Sequence, residues 1–112
     1  MDSKSRLSQA SSHLQELVAE AIDHLDASLR EGSDSIEEDL GIAQVLTIRL
    51  RDRLIERARK SRGEGAAAMR RLLNETNVAL SLIAGVEYPI KGFRQKLIEQ
   101  ARAVLWEVQK LI

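Results

Sequence analysis

The chain has 112 residues, with seventeen Lys and Arg balanced by seventeen Asp and Glu, 44% hydrophobic and only 3% aromatic residues, and no cysteine. That length supplies one core rather than two. The missing cysteine excludes disulfides, thiolate nucleophiles and cysteine-ligated metals, and the zero net charge removes the global positive field that nucleic-acid binders usually carry.

One proline and six glycines in a mixture rich in Leu, Ala, Glu and Arg favour helix throughout. Apolar residues at Leu7, Ala10, Leu14, Leu17, Val18, Ala21, Leu25 and Leu29 keep the three-and-four spacing of one helical stripe and predict a first helix over about 5–30. Gly32-Ser33-Asp34-Ser35 breaks that pattern. Asp34 or Ser35 can cap a second helix, whose first turns hold Glu37, Glu38 and Asp39 where the helix dipole favours anions. Its stripe runs Ile36, Leu40, Ala43, Thr47, Leu50, Leu54 and Ala58, and Gly63 and Gly65 end it, so that it covers about 35–60. A third helix over about 66–87 carries Met69, Leu72, Leu73, Thr76, Leu80 and Ile83; Pro89 pushes Tyr88 out of helical geometry and closes it. A fourth takes up within the first residues after the proline, over about 90–112, through Leu97, Ile98, Ala101, Val104, Leu105 and Val108. Short connections force antiparallel neighbours, so the expected architecture is a single all-α domain over 1–112, an antiparallel up-down-up-down four-helix bundle. No segment approaches the roughly 20 apolar residues of a membrane span, and no apolar run at the start resembles a signal peptide. The expected location is cytoplasmic, with no membrane partner.

Charge is distributed unevenly. Between Arg49 and Gly65 lie seven bases and three acids, whereas Glu16 to Asp39 holds nine acids and one base. In an up-down bundle, the second helix's end and the third's start share one pole, which gathers Arg57, Arg59, Lys60, Arg62, Arg70 and Arg71, with Lys4 and Arg6 from the first helix. Such a pole complements helix dipoles, steers an acidic partner or second subunit, or grips phosphates. The last would make the chain a nucleic-acid-binding accessory protein. Stacking aromatics for single strands are missing.

Residues that resemble chemistry do not assemble into a site. His13, Glu16, Glu20 and His24 share one face of the first helix, but His13 and His24 are about 16 Å apart along it and cannot share an ion. Arg6 and His13, six residues between them, resemble the Arg-to-His spacing of HEPN-type ribonucleases, themselves helical bundles. The likeness covers the first helix alone, and that family's motif falls on a later helix. The expectation is no catalytic, cofactor or metal site, and a chain that is not an enzyme.

The informative residues are apolar ones outside the stripes. Ile42, Val45, Leu46 and Ile48 make the middle of the second helix apolar nearly all round, and Val78 and Leu82 do the same for the third. Folding back at residues 63–64 sets these segments side by side, with Ser81 and Gly85 small enough to admit another backbone. Ile42, Val45, Val78, Leu82 and Gly85 are therefore the expected oligomer interface. Trp106, between Arg102 and Lys110, lies opposite Leu97 on the fourth helix and is the expected anchor for a protein partner. Together these predict a homo-oligomeric interaction or scaffold module.

Overall fold

The computed structural model describes residues 3–30, 32–86 and 93–112, with side chains described from residue 13 onward and, in the last segment, from residue 94. Four helices are present: α1 (Ser3–Leu29), α2 (Ile36–Lys60), α3 (Glu64–Gly85) and α4 (Phe93–Leu111). Each packs against its neighbours in sequence, and α1 also packs against α4; among the described residues no diagonal pair of helices brings its backbones together. The result is the expected up-down-up-down bundle, a closed square of helices measuring 50 × 26 × 18 Å.

The core follows from the stripes. Leu14, Val18, Ala21 and Leu25 of α1 meet Leu40, Ala43, Leu50 and Leu54 of α2, Leu72 and Ile83 of α3, and Ile98, Ala101, Leu105 and Val108 of α4. Leu25, Leu50, Leu54 and Leu105 are fully enclosed, each contributing about 1.5–3 kcal/mol by leaving water. The stripe of α3 differs from expectation by one position: Ala79 is buried where Leu80 was expected, and Leu80 is only half-buried. On α2, Leu46 belongs to the core rather than to the surplus apolar face. Two polar residues are fully buried at no hydrogen-bonding cost. Thr47 Oγ1 donates to the Ala43 carbonyl at 2.7 Å and Thr76 Oγ1 to the Leu72 carbonyl at 2.8 Å, the i−4 bond open to a helical threonine.

The connections show local sequence at work. Gly32 at φ 72° turns the chain out of α1, and the Ser33 N–H donates to the Arg30 carbonyl at 3.2 Å. Ser35 occupies the position before α2 but does not cap it through its side chain. Its hydroxyl donates instead to the Asp39 carboxylate at 2.8 Å, so the expected cap is replaced by a bond one turn into the helix. At the other end the Ser61 hydroxyl donates to the Arg57 carbonyl at 2.8 Å. Gly63, at φ 64° and ψ −133°, takes a conformation open to glycine alone, and α3 begins directly after it, two residues before the expected start. The segment 87–92, with Tyr88 and Pro89, lies outside the described residues.

Candidate interaction surfaces

The expected patch on the second and third helices is divided by the structure between two edges of the molecule. On α2, the α3 side is marked by Glu37, Leu40, Gly41 and Gln44, which line a small groove with Ile83 and Val86. The α1 side is marked by Arg53, Glu56, Arg57 and Lys60, which line a cleft with His13 and Leu14. Ile42 is eighteen residues, five whole turns, from Lys60, so it lies on the α1 edge. On α3, a Cβ built on Gly85 would meet Leu97 Cδ1 at 3.3 Å, which places Gly85 against α4. Val78, seven residues earlier, shares that edge. Gly85 is therefore a close-packing point inside the bundle and not an open surface for another backbone. Ile42 and Leu82 are partly buried and pack on the core. Val45 and Val78 remain 48% and 47% exposed, on separate faces, so no single α2–α3 patch forms.

The α1–α2 face carries charge in an ordered way. His24 Nδ1–H donates to Asp39 Oδ1 at 2.9 Å, fixing the register of the antiparallel pair: position 24 is level with 39, Glu20 with about 43, Glu16 with about 47. His13 accordingly shares one cleft of about 370 Å³ with Arg49, Asp52 and Arg53, and another of about 250 Å³ with Arg53, Glu56, Arg57 and Lys60. Both are open grooves. Glu16, Glu20 and Asp23 are exposed on α1, within 80° of His13. Acids thus occupy this face from the α1–α2 turn to mid-length, with Glu16 also lining an open groove beside Gln109 of α4, and arginines interspersed with Asp52 and Glu56 from mid-length onward. Among the described residues, neither Glu16, Glu20, Asp23 nor Arg49, Arg53, Arg57 forms an ion pair. Asp52 is engaged by Arg51 at 3.2 Å, and Glu56 faces Lys60 at 3.9 Å.

This changes the expected basic pole. Arg57 and Lys60 turn toward α1 with Arg53, whereas Arg59, Arg62, Arg70 and Arg71 are exposed around the α2–α3 turn and make no ion pair with a described residue. The side chains of Lys4 and Arg6 are outside the described ones. Arg49 and Arg53, omitted from the predicted pole, are the residues the structure adds; their i, i+4, i+8 spacing with Arg57 was the available signal. The acidic pole is weaker than its count of nine acids suggests, because α4 supplies cations to it. Arg94 pairs with Glu37, and Arg102 Nη1 donates to Asp26 Oδ1 at 2.7 Å.

Trp106 faces outward as expected, 42% exposed. The Arg102 guanidinium lies over its ring, 4.6 Å from the centroid, a cation–π contact worth about 0.5–1 kcal/mol at such a site. Because Asp26 also holds Arg102, the indole is linked to α1 through two successive contacts. Lys110 takes no part in this; its ammonium turns to Glu107 at 3.2 Å.

At the α1–α2 turn, His24 and then Ser35 bond the Asp39 carboxylate and hold its pKa below the ordinary carboxylate range. This small network joins two helices and is isolated from other acids and histidines: among the described residues, no three of His, Asp and Glu converge as a metal site would need. No described helix is long and apolar enough to cross a membrane. No family model matches the chain, and no curated protein or solved structure resembles it significantly.

Proposed function

We propose that this chain is a non-enzymatic helical-bundle interaction module that associates with itself, using the outward face of α2. The observation that carries this reading is the side chains on that face that do nothing for their own fold. Val45 projects directly opposite the buried stripe of Leu40, Thr47 and Leu54 and leaves about half its surface in water. Arg49, one turn along from it, and Arg53 and Arg57, farther along and turned toward α1, have no ion-pair partner among the described residues. Apolar surface flanked by uncompensated charge is the composition of a docking face with a polar rim. Trp106, braced by Arg102 and Asp26, is a second anchor, suited to a different protein partner on the α1–α4 side.

Mass measured by light scattering across the micromolar range tests the reading. The expected result is a mass above 12.5 kDa that falls on dilution, and a Val45→Glu chain that is monomeric with unchanged helicity. A wild-type chain that stays monomeric at high micromolar concentration overturns self-association. Trp106, the only tryptophan, reports which face is used: an α2 contact leaves its emission constant as mass rises, whereas a blue shift assigns the contact to α4.

The unpaired arginines also support a second reading, a nucleic-acid-binding accessory protein acting through the Arg49–Arg71 region. Labelled RNA and DNA in a salt series decide it, since phosphate contacts lose affinity linearly with log salt. No binding at low salt removes it.

A further inference from the structure

We infer that the α1–α4 face docks a basic amphipathic helix of a partner protein, with Trp106 as its apolar anchor. This rests on the reading of Trp106 as an anchor and adds the partner's chemistry to it. The indole and a groove beside it define the surface. Gln15, Glu16 and Ala19 of α1 and Gln109 of α4 line an open groove of about 510 Å³, larger than either cleft on the α1–α2 face. Ala19 contributes only a methyl group, which keeps the seam open. Trp106 stands one turn from Gln109 on α4. Arg102 lies over its ring and is itself held by Asp26, so the indole is positioned before a partner arrives and costs little to order.

The charge along the seam sets what fits it. Asp26 meets Arg102 and Ala19 lies across from Gln109, so Asp23 is level with about position 105 and Glu16 with about 112. Asp23 neighbours Ala19 and Asp26 on that side of α1. On α4, Glu99 lies about 20° from Trp106 around the helix and is level with about position 29. Glu16, Asp23 and Glu99 thus stand at steps of about 10 Å, exposed and without an ion pair among the described residues; Glu99 accepts from Gln95 Nε2 at 3.1 Å. Arg102 is committed to Asp26, and Arg30, exposed at the turn end, pairs with none of the three, so the face is net negative. A helix repeats one of its own faces every two turns, at the same step of about 10 Å. A partner helix lying along the seam therefore offers Lys or Arg at heptad spacing to the acids in turn, while its apolar stripe covers Trp106. A second copy does not fit: face-to-face pairing opposes two faces of one net sign, and docking this face on a different one of the next copy runs on as an open chain.

Three tryptophan-free helical peptides of about 18 residues, longer than the roughly 20 Å between the outer acids, test it. Each carries one Leu stripe, flanked at heptad spacing by Lys, by Gln or by Glu. Titrated into the chain at low salt, the Lys peptide should shift the emission of Trp106, the only tryptophan, to the blue. It should bind at least about tenfold more tightly than the Gln peptide, and the Glu peptide should not bind. Glu16→Gln with Asp23→Asn should weaken the Lys peptide at least about fivefold. Trp106→Ala should weaken it at least about tenfold, read by the anisotropy of a labelled peptide, with circular dichroism checking each fold. Asp34→Asn with Glu38→Gln removes two exposed acids elsewhere and should leave the affinity within about twofold. Should Trp106→Ala misfold, the exposed acid pair decides alone. Equal binding of the Lys and Gln peptides, each shifting the emission, overturns the basic partner while leaving Trp106 an anchor. Equal losses from the two acid pairs overturn the site. A Lys peptide that binds with unmoved emission and full affinity after Trp106→Ala overturns the anchor reading as well. No binding of the Lys peptide overturns the inference, and an emission shift on concentrating the chain alone seats a second copy there and overturns the partner.

Discussion

Gly41 sits in the interior of α2 with nothing within 4 Å of where a Cβ would be, and without the positive φ that would reserve its position for glycine. Alanine there adds a methyl group to open space and removes conformational freedom from the unfolded chain, so Gly41→Ala should stabilise the domain by about 0.5–1 kcal/mol. At about 2.1 cal/mol/K per residue, the unfolding entropy of 112 residues is about 0.24 kcal/mol/K, which converts the gain into a rise in Tm of about 2–4 °C. Thermal melts followed by circular dichroism, at matched protein concentration, measure it. Gly63→Ala is the control from the same sequence. Its φ of 64° and ψ of −133° are closed to alanine at a cost of about 1–3 kcal/mol, so its Tm should fall. A Gly41→Ala chain melting at or below wild type would refute the reasoning, because it would mean that this helix surface requires glycine for a reason other than local backbone freedom.

Leu54 is fully buried, and Leu54→Asp places an unpaired carboxylate in the core at a cost of several kcal/mol against a total stability of about 5–15; loss of the helical circular dichroism signal is the expected outcome, and an unchanged melt would show the wrong face was assigned. Arg59→Ala with Arg62→Ala changes two exposed side chains without described ion pairs and should leave the unfolding free energy from urea titration within about 0.5 kcal/mol of wild type. Asp39 should mark an acid limit. Its pKa is depressed by the bond from His24 and then that from Ser35, so the stability it adds is present above the ordinary carboxylate pKa and is lost as pH falls through the lower folded value. Asp39→Asn should therefore be less stable than wild type at neutral pH, with the gap narrowing at pH 3, as read from paired urea titrations; a gap independent of pH would assign the contribution to packing.

The four helices and their order were legible because each stripe is long and regular, and burial at Leu25, Leu50, Leu54 and Leu105 follows from spacing alone. Trp106 was legible as outward for the same reason. What spacing does not contain is the side on which each neighbour lies. Gly85 and Val78 read as open surface until α4 is placed beside them. Ile42 reads as part of the same patch until α1 takes its edge. The shift from Leu80 to Ala79 has a related cause, since two adjacent apolar residues straddle the stripe and the approach of neighbouring helices decides between them. Pairs such as Arg94–Glu37 and Arg102–Asp26 were invisible because they join distant parts of the chain, whereas the arginine ladder of α2 is present in the spacing but is set toward α1 only by the way that helix packs.

Those two distant pairs have a consequence for how the domain assembles. His24–Asp39 spans fifteen residues, but Arg94–Glu37 spans 57 and Arg102–Asp26 spans 76. The hairpins α1–α2, α2–α3 and α3–α4 each close a short loop, as expected of a fast-folding topology rich in local contacts. The α1–α4 seam alone requires the whole chain to return on itself, and its loop-closure entropy is the largest in the molecule. Ring closure is therefore the natural last step of folding, and fraying of α4 from α1 the natural first step of local opening. Arg102 latches that seam to Asp26 of α1 and Arg94 ties α4 to Glu37 of α2, pairs that engage only when the other three helices are already in place.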